Sequence, residues 1–122
     1  MSYTIKNLRE VEDVAPKFGF DAVQEARFCF RDLDAKDTGM AYHRVKPGQR
    51  GLAHRHDNAE EIYVVLAGSG RVKLDDEIAE IGPLDAIRVE LIPLSVSATI
   101  VRWASSPCTT AMISFNVAGA AI

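Results

Sequence analysis

The stretch Gly48-Gln-Arg-Gly-Leu-Ala-His54-Arg-His56-Asp-Asn-Ala-Glu60-Glu61-Ile-Tyr-Val-Val-Leu-Ala-Gly68 decides how this chain is read. His54 and His56 stand two apart, so on an extended backbone both imidazoles point to one face. A four-residue turn, Asp57 to Glu60, returns the chain into a β-branched run, Ile62 to Ala67. Glu61 heads that run, with Tyr63 and Val65 on its face, while Glu60 points the other way into solvent. Two imidazoles and one carboxylate converging from adjacent strands match a divalent metal site with open coordination positions. Such a set suits Fe, Mn, Ni, Zn or Cu, and the ligand types alone do not choose among them.

The spacing has the form G-x5-H-x-H-x4-E-x6-G. At this chain's own Gly, His and Glu frequencies, five such matches arise by chance roughly 2 times in 100,000. In this pattern, and in the flanking Glu60-Glu61-Ile-Tyr-Val-Val-Leu-Ala-Gly-Ser-Gly, the segment resembles the first motif of the cupins, in particular small bacterial single-domain cupins of the conserved-barrel type. The resemblance covers residues 39–89 well. It implies a double-stranded β-helix (a jelly-roll barrel) with His54, His56 and Glu61 as metal ligands inside it.

The second cupin motif, G-x5-P-x-G-x2-H-x3-N, is not matched. Ile81-Gly-Pro-Leu84-Asp85-Ala-Ile-Arg-Val89 has its beginning, with Leu84 where the family has Gly. Counting on from Leu84, the histidine position holds Ser95 and the asparagine position Thr99. Aligning on Pro93 and Ser95 instead puts Ala98 at the histidine. Neither register supplies a fourth ligand.

Around this core the sequence reads as strands. Residues Glu25 to Arg31, Gly39 to Val45, Ile62 to Ala67, Arg71 to Leu74, Glu77 to Ile81, Ala86 to Ile92, Val96 to Trp103 and Thr110 to Val117 form a series of short segments. Turn signals such as Lys46-Pro47-Gly48, Gly68-Ser-Gly70 and Asp75-Asp76 separate them, the pattern of an antiparallel barrel or sandwich. Gly48, Gly68 and Gly70 read as turn residues needing positive φ or close backbone approach. Ahead of the strands, Asn7 caps a short helical segment with Leu8, Val11 and Val14 on one side, stopped at Pro16. The expected architecture is all-β, one domain over 1–122. It comprises an arm with a short helix (1–24) and a barrel (25–122) whose last part, 91–122, is atypical.

That last part is nearly uncharged. Of the 31 charged residues, only Arg102 lies beyond residue 90. A segment so poor in charge is buried, packs against another subunit or aggregates, and the subunit reading predicts a homodimer. The net charge of −3 and the lack of any basic run argue against nucleic-acid binding. Pro107 with its Ser, Thr and Asn neighbours argues against a membrane helix. Residues 1–15 lack signal-peptide character, so a cytoplasmic location is expected.

Outside the metal set, Tyr63 is the one catalytic candidate, with core packing as its competing reading. His43 has no partner at ligand spacing and reads as structural or surface. Cys29, between Phe28 and Phe30, reads as a small buried hydrophobe. Trp103, Phe28, Phe30 and Phe115 read as core, and Arg44, Arg55, Arg71 and Arg88 as solvated surface. Two function classes follow. One is a metalloenzyme acting on a small molecule, a dioxygenase or isomerase type of reaction among the possibilities. The other is a non-catalytic binding or sensor cupin with weak or no metal, which the missing fourth ligand favours.

Overall fold

The computed structural model describes residues 2–50, 60–74, 76–89, 101–105 and 109–117. Among the described residues there are eight strands: β1 (Gln24–Phe28), β2 (Thr38–Val45), β3 (Glu61–Ala67), β4 (Gly70–Leu74), β5 (Glu77–Ile81), β6 (Ala86–Val89), β7 (Val101–Ser105) and β8 (Thr110–Val117). They form a five-stranded sheet in the order β1-β2-β8-β3-β6 and a three-stranded sheet in the order β5-β4-β7. The ladders are antiparallel throughout. β8, late in sequence, runs between β2 and β3, so the chain's two halves are interleaved, as in a jelly roll.

Period-two burial shows which faces meet. In β3, Glu61, Tyr63 and Val65 are buried while Ile62 and Leu66 are exposed. The core joins Val45, Tyr63, Val65, Val89 and Met112 of the larger sheet to Val72 and Ile81 of the smaller one. Burial of these side chains contributes roughly 1.5–3 kcal/mol each for the aliphatic ones, which is what holds two narrow sheets together. The strand series and the all-β class are as the sequence predicts. β1 ends at Phe28, earlier than expected, because the chain turns at residues 30–34. There Ala35 N–H donates to Phe30 O at 2.8 Å and Asp34 takes φ 55°. The expected extensions of two strands, 90–92 and 96–100, lie outside the described residues.

The arm differs from expectation at one point. A 3₁₀ turn forms over Leu8–Glu10, the Asn7 side chain accepting from Arg9 N–H at 2.9 Å. Pro16, expected to stop a helix, instead lies in the first turn of one, α1 (Ala15–Phe18), which ends at left-handed Gly19. Proline lacks a donor that the first turn leaves unused, so it suits a start as well as a stop. Asp13 ties this arm to the sheet, its Oδ1 accepting from Ala15 N–H at 3.0 Å and Ala26 N–H at 2.9 Å.

Two turns meet β3 near its C-terminal end. Gly68 has φ 78°, and a Cβ there would collide with the carbonyl of Thr109, so this position admits only glycine. The register between β3 and β8 shifts beside it, between Val65 and Ala67. Gly48 also takes positive φ, whereas Gly70 is a strand residue pairing with Ile81 and Ser105, not a turn residue. Ahead of β6, Gly82-Pro83-Leu84-Asp85 forms a turn beside Val65, closed by Asp85 N–H to Gly82 O at 3.1 Å. Leu84 there holds φ 68°.

Candidate functional site

Glu61, at the head of β3, is 5% exposed and faces the interior. Its Oε2 accepts a hydrogen bond from the Tyr63 hydroxyl at 2.8 Å. The two side chains meet because residues two apart on a strand share a face. Burying a carboxylate is costly unless hydrogen bonds or a cation compensate it, and the tyrosine hydroxyl supplies one such bond while fixing the carboxylate's orientation. Tyr63 is itself among the largest fully buried side chains, so it is both core and polar partner. Glu60, one residue earlier, is exposed and lies 3.2 Å from Arg88, the solvated position expected of it.

His54 and His56 lie outside the described residues. Among the described residues, no three His, Cys, Asp or Glu side chains gather as a metal site. The fit of a divalent cation is therefore judged on Glu61: a hard oxygen donor, buried, inward-facing and held by a hydrogen bond, has the character a metal-binding carboxylate requires.

One inward residue had no signal in the local sequence. His43 shares the face of Ala41 and Val45 on β2, and its Nε2 lies 3.2 Å from the Ser114 hydroxyl on β8. Phe28 of β1 approaches the imidazole edge-on, centroids 6.0 Å apart. Ser114 is 3% exposed and sits opposite Tyr63 in the β3–β8 ladder. Glu61, Tyr63, Ser114 and His43 thus form a polar track across three neighbouring strands of one sheet face. Only strand parity with Val45 could have pointed to His43, and only once β2, β8 and β3 were known to be adjacent.

Other assignments settle simply. Cys29 is fully buried, its Sγ donating to Met40 O at 3.2 Å, and burial pushes its thiol pKa up. Phe115, expected in the core, lies on the outer face, 36% exposed, opposite Ile62. Its parity in β8 is opposite to that of buried Met112 and Ser114. Phe30 packs under the Arg31 guanidinium at 5.6 Å. Arg44 lies 3.6 Å from Glu25 at the surface.

Residues 41–90 match the family described as Cupin domain. Solved structures agree. The cupin protein BF4112 from Bacteroides fragilis superposes with a TM-score of 0.69 at 19% identity, covering 100% of this chain and 90% of that one. The polyketide cyclase RemF from Streptomyces resistomycificus gives 0.70 at 19% identity, covering 96% and 79%. Rru_A2000 from Rhodospirillum rubrum, a cupin-2 domain, gives 0.66 at 16% identity. It is matched over 82% of this chain, which spans 63% of that protein's length. No curated protein sequence matches the chain. The topology, the inward Glu61 and these likenesses define an all-β jelly-roll barrel. Over residues 41–90 the chain is similar to cupin domains.

Proposed function

We propose that this protein binds a divalent metal ion through His54, His56 and Glu61, and uses it to bind or transform a small molecule inside the barrel. The observation that carries the reading is the buried, inward Glu61 carboxylate held by the Tyr63 hydroxyl, at the carboxylate position of a G-x5-H-x-H-x4-E-x6-G segment. When bound, such an ion supplies a Lewis acid for the oxygen atoms of a small molecule. Glu61 would bind it through oxygen and the two histidines through nitrogen. Tyr63 holds the carboxylate in place and lines the interior. The surrounding Val45, Val65, Val89 and Met112 keep water out, which strengthens every polar contact made there.

That one structural relative is named a polyketide cyclase supports small-molecule chemistry in such a barrel without choosing the reaction. A non-catalytic binding or sensor role is favoured by a different observation, the absence of the second-motif histidine at either Ser95 or Ala98.

Elemental analysis of the purified protein beside His54→Ala tests the proposal. Near-stoichiometric iron, manganese, nickel, zinc or copper in the parent, lost in a folded variant, is expected. No metal after incubation with each ion would overturn the metal reading and leave the barrel as a metal-free binding module.

A further inference from the structure

We propose that the outer face of the larger sheet is the contact by which two copies of this chain pair, β8 against β8 across a two-fold axis. This goes beyond the metal reading and does not rest on it, because Glu61 points to the opposite face of β3.

The case begins with the residues of the two inner strands β3 and β8. An antiparallel strand with one solvated face alternates apolar and polar residues, whereas a strand buried on both faces reads as a near-continuous apolar run. β3 is of the second kind: its outward Ile62, Val64 and Leu66 are as apolar as its inward Tyr63 and Val65. β8 places Ile113 and Phe115 outward, at the parity opposite to inward Met112 and Ser114. The fold of one chain buries only the inward set. Ile62 is 40%, Leu66 42% and Phe115 36% exposed, while Val64, Ile113 and Tyr42 of β2 are half-buried. Register joins them in one patch, with Ile62 opposite Phe115, Val64 opposite Ile113, and Ile113 opposite Tyr42. The smaller sheet shows what a solvated face of this protein is made of. There Arg71 and Lys73 of β4 are exposed, with Glu80 of β5 opposite Arg71.

Size and layout select the occupant. Five strands about 4.8 Å apart and roughly six residues long cover on the order of 500 Å² before the relief of the side chains is counted. A specific pair buries roughly 600–1,000 Å² per partner, so the whole face is needed and a second sheet of equal breadth fits it. β8 is the middle strand of the five. Among the described residues, charge on this face is confined to its flanks: Glu25, Arg27 and Arg44 on the β1 side, and Arg88 with Glu60 on the β6 side. An apolar centre inside a polar rim is the anatomy of a protein interface, and a two-fold contact requires a patch complementary to itself. Rotation about an axis along β8 meets that requirement. It lays the apolar centre on its own copy and the β1 flank of one chain over the β6 flank of the other, bringing Glu25 to the side of Arg88. β8 also belongs to the nearly uncharged segment beyond residue 90, which pairing of this kind covers.

Sedimentation equilibrium of the full chain over a wide concentration range tests the proposal, beside Ile62→Glu, Phe115→Glu and Ile78→Glu. Ile78 is 63% exposed on β5 of the smaller sheet and serves as the control. The parent and Ile78→Glu are expected as dimers of the 13.4 kDa chain. Ile62→Glu and Phe115→Glu are expected to dissociate about a hundred-fold more readily, with the circular dichroism of the parent. Should a glutamate unfold the barrel, Ile62→Thr and Phe115→Thr, polar but suited to a strand, replace it with the same expectation. A parent that stays monomeric at high concentration would overturn the proposal and leave the face to a different protein. So would a dimer that the Ile62 and Phe115 variants do not weaken, or one that Ile78→Glu weakens equally. Metal content per chain is expected to be the same in the monomeric variants as in the parent, so the pairing and the metal reading stand or fall separately.

Discussion

Leu84 is expected to cost this protein stability, and replacing it with glycine should return some. The turn Gly82-Pro83-Leu84-Asp85 has proline at its second position and positive φ at its third, closed by the Asp85 N–H to Gly82 O bond. That is a type II pattern, whose third position calls for glycine. A leucine held in the left-handed region costs roughly 1–2 kcal/mol. Its side chain is 81% exposed, so little burial offsets that cost. The turn cannot relax freely. Leu84 N–H donates to Val65 O at 2.8 Å, Val65 N–H to Asp85 O at 2.9 Å, and Gly82 N–H to the Asp85 carboxylate at 2.7 Å. Val65 is fully buried, so these bonds fasten the turn to the core. Glycine relieves the strain but gives back about 0.5–1 kcal/mol through its greater freedom when unfolded. The expected net gain for Leu84→Gly is about 0.5–1 kcal/mol, a rise in Tm of roughly 2–5 °C. Urea unfolding followed by circular dichroism should show a higher midpoint at unchanged slope, because the surface exposed on unfolding is the same. Leu84→Val should move the other way, since a β-branched residue tolerates positive φ poorly. Equal or lower stability for the glycine variant would refute the strain assigned to Leu84.

Other outcomes follow from the same structure. Gly68→Ala should lower stability by at least ~2 kcal/mol in the same assay, because it adds a Cβ against the Thr109 carbonyl at φ 78°. Tyr63→Phe leaves a buried carboxylate short of a bond. It should cost about 1–3 kcal/mol of stability, and metal titration should show affinity about 10–100-fold weaker; unchanged affinity would mean the hydroxyl does not orient Glu61. The Cys29 pKa is raised from 9.0 in the fold, chiefly by burial, so the native state favours the protonated thiol. The resulting stability is complete below pH 9 and falls as pH rises above it, where the unfolded chain ionises first. Cys29→Ser should flatten that alkaline decline. Light scattering should return about twice the 13.4 kDa chain mass for the expected homodimer, and a monomer at high concentration would refute it.

The N-terminal arm shows how far local sequence signals reach. Asn7 caps its turn as the sequence suggests, but Pro16 can start or stop a helix, and only the docking of Asp13 onto Ala15 and Ala26 decides which. Phe115 looked like core because aromatic residues usually are. The β8 register, set by its neighbours β2 and β3, turns it outward instead.

Sequence by itself determined the all-β class, the strand series and the Glu61–Tyr63 face. Those depend on period-two alternation and short-range spacing, which the chain carries locally. The 48–68 segment is similarly self-contained, since its potential ligands lie within eight residues of one another. Tertiary structure alone decided that β8 lies between β2 and β3, that Ser114 joins His43 to the tyrosine's row, and that Leu84 bears the turn's positive φ. Each of these depends on contacts between residues distant in sequence, where one-dimensional periodicity holds no information about which strands become neighbours.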